Sequence, residues 1–220
     1  MGELKRTLAA ELSGHVGSEA ILCGWVHRVR DLGKVCFVVL RDRSGMAQVV
    51  LDANPGVTPE SVIRAIGTVV ANPKAPGGVE LQAKALEVVA AAAPDLPVAV
   101  NQEPDKLSLE AVLDNRMLTL RNPQILSIFR VQHTILAAFA DHLRSEGFTE
   151  IKTSKLIGTG TEGGTGLFAV EYFDGKVYLT QSPQLYKQTM VAAGLERVFE
   201  IGPAYRAEKH DTPRHINEFV

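Results

Sequence analysis

Residues 20–51 read AILCGWVHRVRDLGKVCFVVLRDRSGMAQVVL. Residues 20–30 alternate apolar and polar side chains as a half-buried strand does. Asp31-Leu32-Gly33 predicts a turn into a second strand over 34–41, rich in β-branched residues. Residues 42–45 predict another turn, and 46–51 a third strand. Beyond them, 59–66 reads as a short helix with Pro59 near its start. Two further strands are expected, around 67–71 and 79–89. Three strands, a helix and two strands is the order of an OB-fold, a small Greek-key barrel. A five-stranded barrel without a ligand fits the same order.

Such barrels suit single-stranded nucleic acid, and the residues for that are present. Phe37 offers a face for base stacking, Arg28, Arg30 and Lys34 suit a phosphate backbone, and the Gln48 amide suits a base edge. Taken singly, each reads more readily as a core aromatic or a solvated charge. Their grouping on consecutive strands is what favours a ligand.

The 220 residues carry a formal net charge of −2, so no sequence-wide basic field points to nucleic acid and any contact must be local. Cys23 and Cys36 sit in apolar runs and match no metal spacing, as free thiols of a reducing cytoplasm would. The opening MGELKRTLAAEL lacks the apolar core of a signal peptide, and no run approaches the ~20 apolar residues of a membrane span. The expectation is a soluble cytoplasmic protein.

Residues 90–105 are rich in Ala and Pro and read as a weakly packed linker. Residues 107–122 are of mixed helical character. Residues 123–146 form the strongest helix, with Ile125, Ile128, Phe129, Leu136, Phe139 and Leu143 at helical spacing, Asn122 to cap it and Gly147 to end it. That stripe suits packing on the chain's own sheet or against another subunit. The expected organisation is an all-β OB-fold barrel over 1–93, a hinge over 94–121, and an α+β domain with an antiparallel sheet over 122–220.

After the helix, 149–152 predicts a strand. Gly158, Gly160 and Gly163 satisfy GxGxxG, but no helix opens at the third glycine, so a dinucleotide site is rejected. No Gly-Lys-Ser/Thr follows either. The glycines suit a lid with Glu162 as its ionisable side chain. Residues 167–173 and 176–180 predict a hairpin turning at Asp174-Gly175. It leads to TQSPQLYK (180–187), where Ser182 can cap a helix whose first residue is Pro183 and Gly194 can close it. Gln184 and Lys187 then share a face near a helix N-terminus, a carboxylate receptor or simply a surface pair.

Residues 199–219, FEIGPAYRAEKHDTPRHINEF, predict two short strands around a charged loop at 209–213. On strands, Arg206 and Glu208 share one face, and His215, Asn217 and Phe219 another. Guanidinium, carboxylate and ring together suit phosphate, amine and heterocycle, as in an ATP site. They suit a solvated hairpin equally well. No Ser-His-Asp arrangement or metal cluster competes.

These stretches resemble the class II aminoacyl-tRNA synthetases, and within them the archaeal-type aspartyl-tRNA synthetases. GWVHRVRDLGKVCFVVLRDRSG resembles the anticodon-binding barrel, TEGGTGLFAVEYF and LTQSPQLYKQ the amino-acid pocket, and FEIGPAYRAEKHDTPRHINEF motif 2. The resemblance implies that Arg206 holds the aspartate carboxylate and the ATP α-phosphate, Glu208 takes the adenine amine, and Phe219 stacks on the ring. Arg214, His215 and Ile216 line the rest of the ATP site, and the 209–213 loop approaches the tRNA acceptor end. Glu162 takes the α-amino group, and Gln184 and Lys187 hold aspartate. Arg28, Arg30, Phe37 and Gln48 meet the anticodon. His27 and Pro76 match family members that charge both tRNA-Asp and tRNA-Asn. The implied protein is a ligase of protein biosynthesis using ATP and Mg²⁺. It is a homodimer served by an amidotransferase acting on Asp-tRNA-Asn.

Two departures stand out. Ser154 occupies the place of the usual motif 1 proline, and motif 3 and the Mg²⁺ ligands are expected beyond Val220, with no metal site within this chain. Residues 1–220 alone are therefore expected to be inactive. The rivals are an asparaginyl-tRNA synthetase, against which Lys187 argues because a cation suits a carboxylate better than an amide, and a non-catalytic OB-fold RNA-binding module.

Overall fold

A computed structural model describes residues 5–160, 166–209, 212 and 214–220. The chain divides into two compact units, one ending at Ser127 and one beginning at Ile128.

The first unit is built on a closed barrel of five strands: β1 (Glu19–Asp31), β2 (Cys36–Arg41), β3 (Met46–Leu51), β4 (Val62–Ala71) and β5 (Val79–Ala90). Their order around the barrel is β1-β2-β3-β5-β4, with β4 closing on β1, all pairs antiparallel except β3 with β5. Alternation directs Leu22, Val26, Val38, Leu40, Val49, Ile63, Val69 and Leu81 inward, each fully buried. A 3-10 turn over Ala9–His15, not expected from sequence, plugs the barrel with Leu12. It is tied down where Asp42 accepts from the Ala9 amide at 2.8 Å.

The expected helix at 59–66 is absent. Ile63, Ala65 and Val69 are buried at a period of two, and β4 pairs with β1 on one side and β5 on the other. Residues before β4 make a turn, in which Glu60 takes φ +66°. Gly67 is required where β4 and β5 close up, since a Cβ there would stand 2.0 Å from the Gln82 carbonyl oxygen. The segment after β5 packs more than a linker should: Val98 and Val100 are buried, and the Asn122 amide donates to the Val100 and Gln102 carbonyls at 2.9 Å each.

Two short helices follow, α1 (Leu109–Asp114) and α2 (Arg116–Thr119), and then the long α3 (Pro123–Ser145). Asn122 caps α3 through the Gln124 amide at 2.9 Å, and Gly147 ends the run at φ +79°. Within the second unit the helix leaves Ile128, Val131, Ile135 and Phe139 exposed. Its stripe is not spent on a sheet of its own.

The second unit holds short strands: β6 (Thr149–Glu150), β7 (Leu156–Ile157), β8 (Ala169–Tyr172), β9 (Gly175–Leu179), β10 (Val198–Phe199), β11 (Ala204–Tyr205) and β12 (Glu218–Phe219), with helix α4 (Gln184–Met190) between β9 and β10. β6 pairs with β10 in parallel; β7-β9-β8 and β11-β12 are antiparallel. The β8–β9 turn falls one residue earlier than expected: Tyr172 pairs with Gly175, so Phe173 and Asp174 form the loop, and Phe173 takes φ +50°. Glu200, whose side chain is 2% exposed, knits the unit together, accepting from Thr153 Oγ1 at 2.7 Å and Lys155 Nζ at 2.8 Å. Between them, Ser154 Oγ donates to the Leu156 carbonyl at 2.7 Å. No helix among the described residues is long and apolar enough to cross a membrane.

Candidate functional site

The barrel carries one group of candidate residues. A bulge at His27 shifts β1 by one residue, so that Val26 faces Leu40 but Arg28 faces Val39. The shift puts Arg28 and Arg30 on the outer face with Phe37. Two rows result: Arg30–Phe37–Val50 and Arg28–Val39–Gln48–Glu80. All four expected anticodon residues thus lie on one face, spread over neighbouring strands about 4.8 Å apart. The strand pairing alone dictates it.

Two residues of this face escaped the sequence reading. The Gln48 amide donates to Glu80 Oε2 at 2.8 Å, and the Asn72 amide donates to the same oxygen at 2.7 Å. Glu80 is largely buried. It takes one N–H of the Gln48 amide, which leaves the second N–H and the carbonyl oxygen available. Nothing in the sequence announces a parallel register between β3 and β5. Pro76 is exposed in the turn that follows Asn72, at the first position of a 3-10 turn over Pro76–Gly78.

At the bulge, His27 Nδ1 lies 3.0 Å from an Arg41 guanidinium nitrogen. Burial and the Arg41 charge lower the His27 pKa, partly opposed by Glu60, with Arg28 adding to the lowering. Arg41 pairs with both Glu60 oxygens at 3.0 and 2.8 Å, and Arg121 reaches Glu60 at 3.0 Å. The Arg41 and Arg121 guanidinium groups lie over Trp25, 5.9 and 5.3 Å from its ring centre.

The second unit carries a separate group. Ser182 Oγ accepts from the Gln184 amide at 3.2 Å, but the helix starts at Gln184 with Pro183 at the cap position, so Ser182 stands one residue before the cap rather than in it. Gln184 and Lys187 border one shallow depression with Phe148, Val191 and Val198. The strand exit leading to them is held against the closing hairpin. The Tyr205 amide donates to the Thr180 carbonyl at 2.9 Å, and the Ala207 amide to Gly166 at 3.0 Å. Gly166 must be glycine here, because a Cβ would meet the Ala207 oxygen at 2.7 Å.

The hairpin has less strand than its sequence suggests. β11 ends at Tyr205, and the Glu208 amide turns to the Asn217 side chain at 3.0 Å and the Arg206 carbonyl at 2.9 Å. Arg206 and Glu208 therefore do not alternate along one strand. His215 belongs to a turn, its Nδ1 2.6 Å from Thr212 Oγ1, rather than to the face of Phe219. Arg206 does meet Phe219, its guanidinium 5.2 Å from the ring centre. Arg214, His215 and Ile216 are exposed. Glu162 lies outside the described residues, as do His210, Asp211 and Pro213 of the charged loop.

Residues 20–89 match the OB-fold nucleic acid binding domain, and residues 108–220 match tRNA synthetases class II (D, K and N). The chain belongs to that class II synthetase family. It is 47% identical over 214 residues to the aspartate–tRNA(Asp/Asn) ligase of Methanopyrus kandleri, covering 93% of this chain and 49% of that protein. The ligase of the same name from Deinococcus radiodurans is 46% identical over 217 residues, covering 99% and 50%. The chain thus spans about half the length of the curated relatives it matches. Among solved structures, asparaginyl-tRNA synthetase of Pyrococcus horikoshii with asparaginyl-adenylate matches at TM-score 0.88 and 32% identity, covering 99% of this chain and 52% of that one. Aspartyl tRNA synthetase from Entamoeba histolytica matches at 0.78 and 29%, covering 98% and 49%.

Proposed function

We propose that the protein carrying this chain ligates L-aspartate to tRNA through an aspartyl-adenylate, and does so on both tRNA-Asp and tRNA-Asn. The observation that carries the reading is the set of relatives 43–47% identical, named aspartate–tRNA(Asp/Asn) ligase. The aspartate carboxylate attacks the ATP α-phosphorus and pyrophosphate leaves. The tRNA terminal ribose hydroxyl then attacks the acyl carbon and AMP leaves.

Arg206 bridges the carboxylate and the α-phosphate, where a fixed cation opposes the charge that develops in transfer. Phe219 stacks on adenine, Glu208 accepts from its amine, and Arg214, His215 and Ile216 complete the nucleotide site. Gln184 and Lys187 hold the aspartate side chain, with Glu162 on its amine. On the barrel, Phe37 and Gln48 take the central anticodon base, Arg28 and Arg30 the backbone, and His27 and Pro76 set tolerance at the third base. Among the described residues no group of three or more His, Cys, Asp or Glu side chains could hold a metal ion; Mg²⁺, when bound, would offset the charge on the ATP phosphates. The protein works in the cytoplasm as a homodimer, and an amidotransferase converts its Asp-tRNA-Asn.

The structural likeness to an asparaginyl enzyme supports asparagine as a second reading. Lys187 favours aspartate, since an amide leaves its charge unmatched. Amino-acid-dependent pyrophosphate exchange and charging of purified tRNA-Asp and tRNA-Asn by the full-length protein test both. Asparagine activation, or no Asp-tRNA-Asn, would refute the corresponding part. Lys187→Leu should abolish aspartate activation.

A further inference from the structure

The network at the β1 bulge has a chemical consequence for His27. A guanidinium carries only donors. The 3.0 Å contact between Arg41 and His27 Nδ1 is therefore a hydrogen bond in which Nδ1 accepts. A ring whose Nδ1 is an acceptor bears its proton on Nε2 and is neutral. We propose that Arg41 is a positioning residue that fixes His27 in the neutral Nε2–H form, so that this side chain meets RNA as a directed donor and not as a cation. The proposal rests on the reading of His27 as a tRNA contact.

Arg41 is suited to that work because it cannot easily turn away. Its side chain is 8% exposed and that of Glu60 2%, and the two are joined by a double hydrogen bond. Glu60 is fixed in turn by Arg121 and by its own amide, which donates to the Val26 carbonyl at 2.7 Å, one residue before His27. Swinging Arg41 aside would leave a buried carboxylate with one partner fewer. The charged groups facing His27 are Arg41 from β2, Glu60 from the turn before β4 and Arg28 from its own strand. Two cations to one anion oppose a third positive charge on the ring.

The distinction matters for recognition. A cationic histidine attracts any phosphate, whereas a neutral N–H selects an acceptor at one position and angle.

The test is nitrogen NMR on the full-length protein with ¹⁵N-labelled histidine, the His27 signals assigned by their loss in His27→Asn. The expected wild-type spectrum at neutral pH shows a protonated Nε2 and bare Nδ1. Arg41→Met, which offers Nδ1 no donor, should release the tautomer and raise KM for tRNA more than it lowers kcat. It should also add a pH dependence of that KM between about pH 6 and 7 that wild type lacks. A wild-type ring protonated on Nδ1 or on both nitrogens would overturn the proposal with no variant needed, as would an unchanged tautomer in folded Arg41→Met. Unaltered KM for both tRNAs in His27→Ala would instead overturn the RNA contact itself, leaving the spectrum to report on Arg41 separately.

Discussion

Arg206 and Phe219 are diagonal neighbours across the closing hairpin. Ala204 pairs with Phe219, and the Arg206 amide donates to the Asn217 carbonyl at 2.9 Å, which sets the guanidinium 5.2 Å from the ring centre. The two side chains proposed to take the phosphate and the adenine thus support each other before ATP arrives. Their variants should separate by kinetics. Phe219→Leu should raise KM for ATP roughly 5- to 150-fold, the equivalent of about 1–3 kcal/mol for one stacked base. Arg206→Ala should lower kcat of pyrophosphate exchange about 10²- to 10³-fold, as loss of one transition-state donor does. Equal effects of both variants on KM alone would contradict this division.

Glu80 ties Gln48 to Asn72 through a single carboxylate oxygen. Glu80→Ala should free the Gln48 amide and raise KM for tRNA about tenfold, an effect of one misplaced base contact at ~1–3 kcal/mol. Aspartate-dependent pyrophosphate exchange needs no anticodon and serves as the control measurement. A Glu80→Ala protein that binds tRNA as wild type does would remove Glu80 from the face.

Two titrating groups tie stability of the barrel to pH, and they act in different ranges. Burial pushes the Asp42 carboxyl up, but the Ser44 hydroxyl and the Ala9, Ser44 and Gly45 amides outweigh it and leave the pKa lowered. A depressed carboxyl stabilises the fold above its unfolded pKa, and that contribution is lost as pH falls through the folded value. For His27 the folded pKa is also depressed, so the ring's neutral form is favoured in the native state. Its contribution is complete above about pH 6.5 and fades as pH drops toward the folded value. Thermal melts should therefore show a first loss just below pH 6.5, absent in His27→Asn. A second should follow in the carboxylate range, reduced in Asp42→Asn. A His27→Asn melt with the same slope near pH 6 would contradict the first assignment.

How much of this was legible in the sequence depends on where the deciding contact lies. β1, β2 and β3 were readable because their alternation is local, and the cap and stop of α3 because Asn122 and Gly147 act within a few residues. The first half of β4, residues 62–66, was misread as helix. Val62, Ile63 and Ile66 suit a helical face as well as a strand, and only pairing with both β1 and β5 makes the period two win. Non-local contacts were out of reach in the same way. The parallel register that joins Gln48 to Glu80, and the turn at Glu60 that gathers Arg41 and Arg121, depend on residues more than thirty positions apart or on a backbone conformation no motif declares. The hairpin around Arg206 was recognisable as a motif, yet its strands proved too short to set the side chains by alternation.

The exposed stripe of α3 carries the last prediction. Ile128, Val131, Ile135 and Phe139 recur at intervals of three and four, and all are exposed within the second unit. The stripe borders a groove shared with Gln132, Leu136, Phe219 and Val220. A helix this apolar on one side is stable in water only if something covers it, and for the proposed homodimer that cover is a second copy. Ile135 and Phe139 are one turn apart, so Ile135→Glu with Phe139→Glu places two carboxylates in the middle of such an interface. Desolvating unpaired charges costs several kcal/mol, enough to dissociate a dimer of ordinary affinity. Sedimentation of the full-length double variant should give the monomer mass with far-UV circular dichroism unchanged. A folded variant that still sediments as a dimer would place the subunit contact elsewhere.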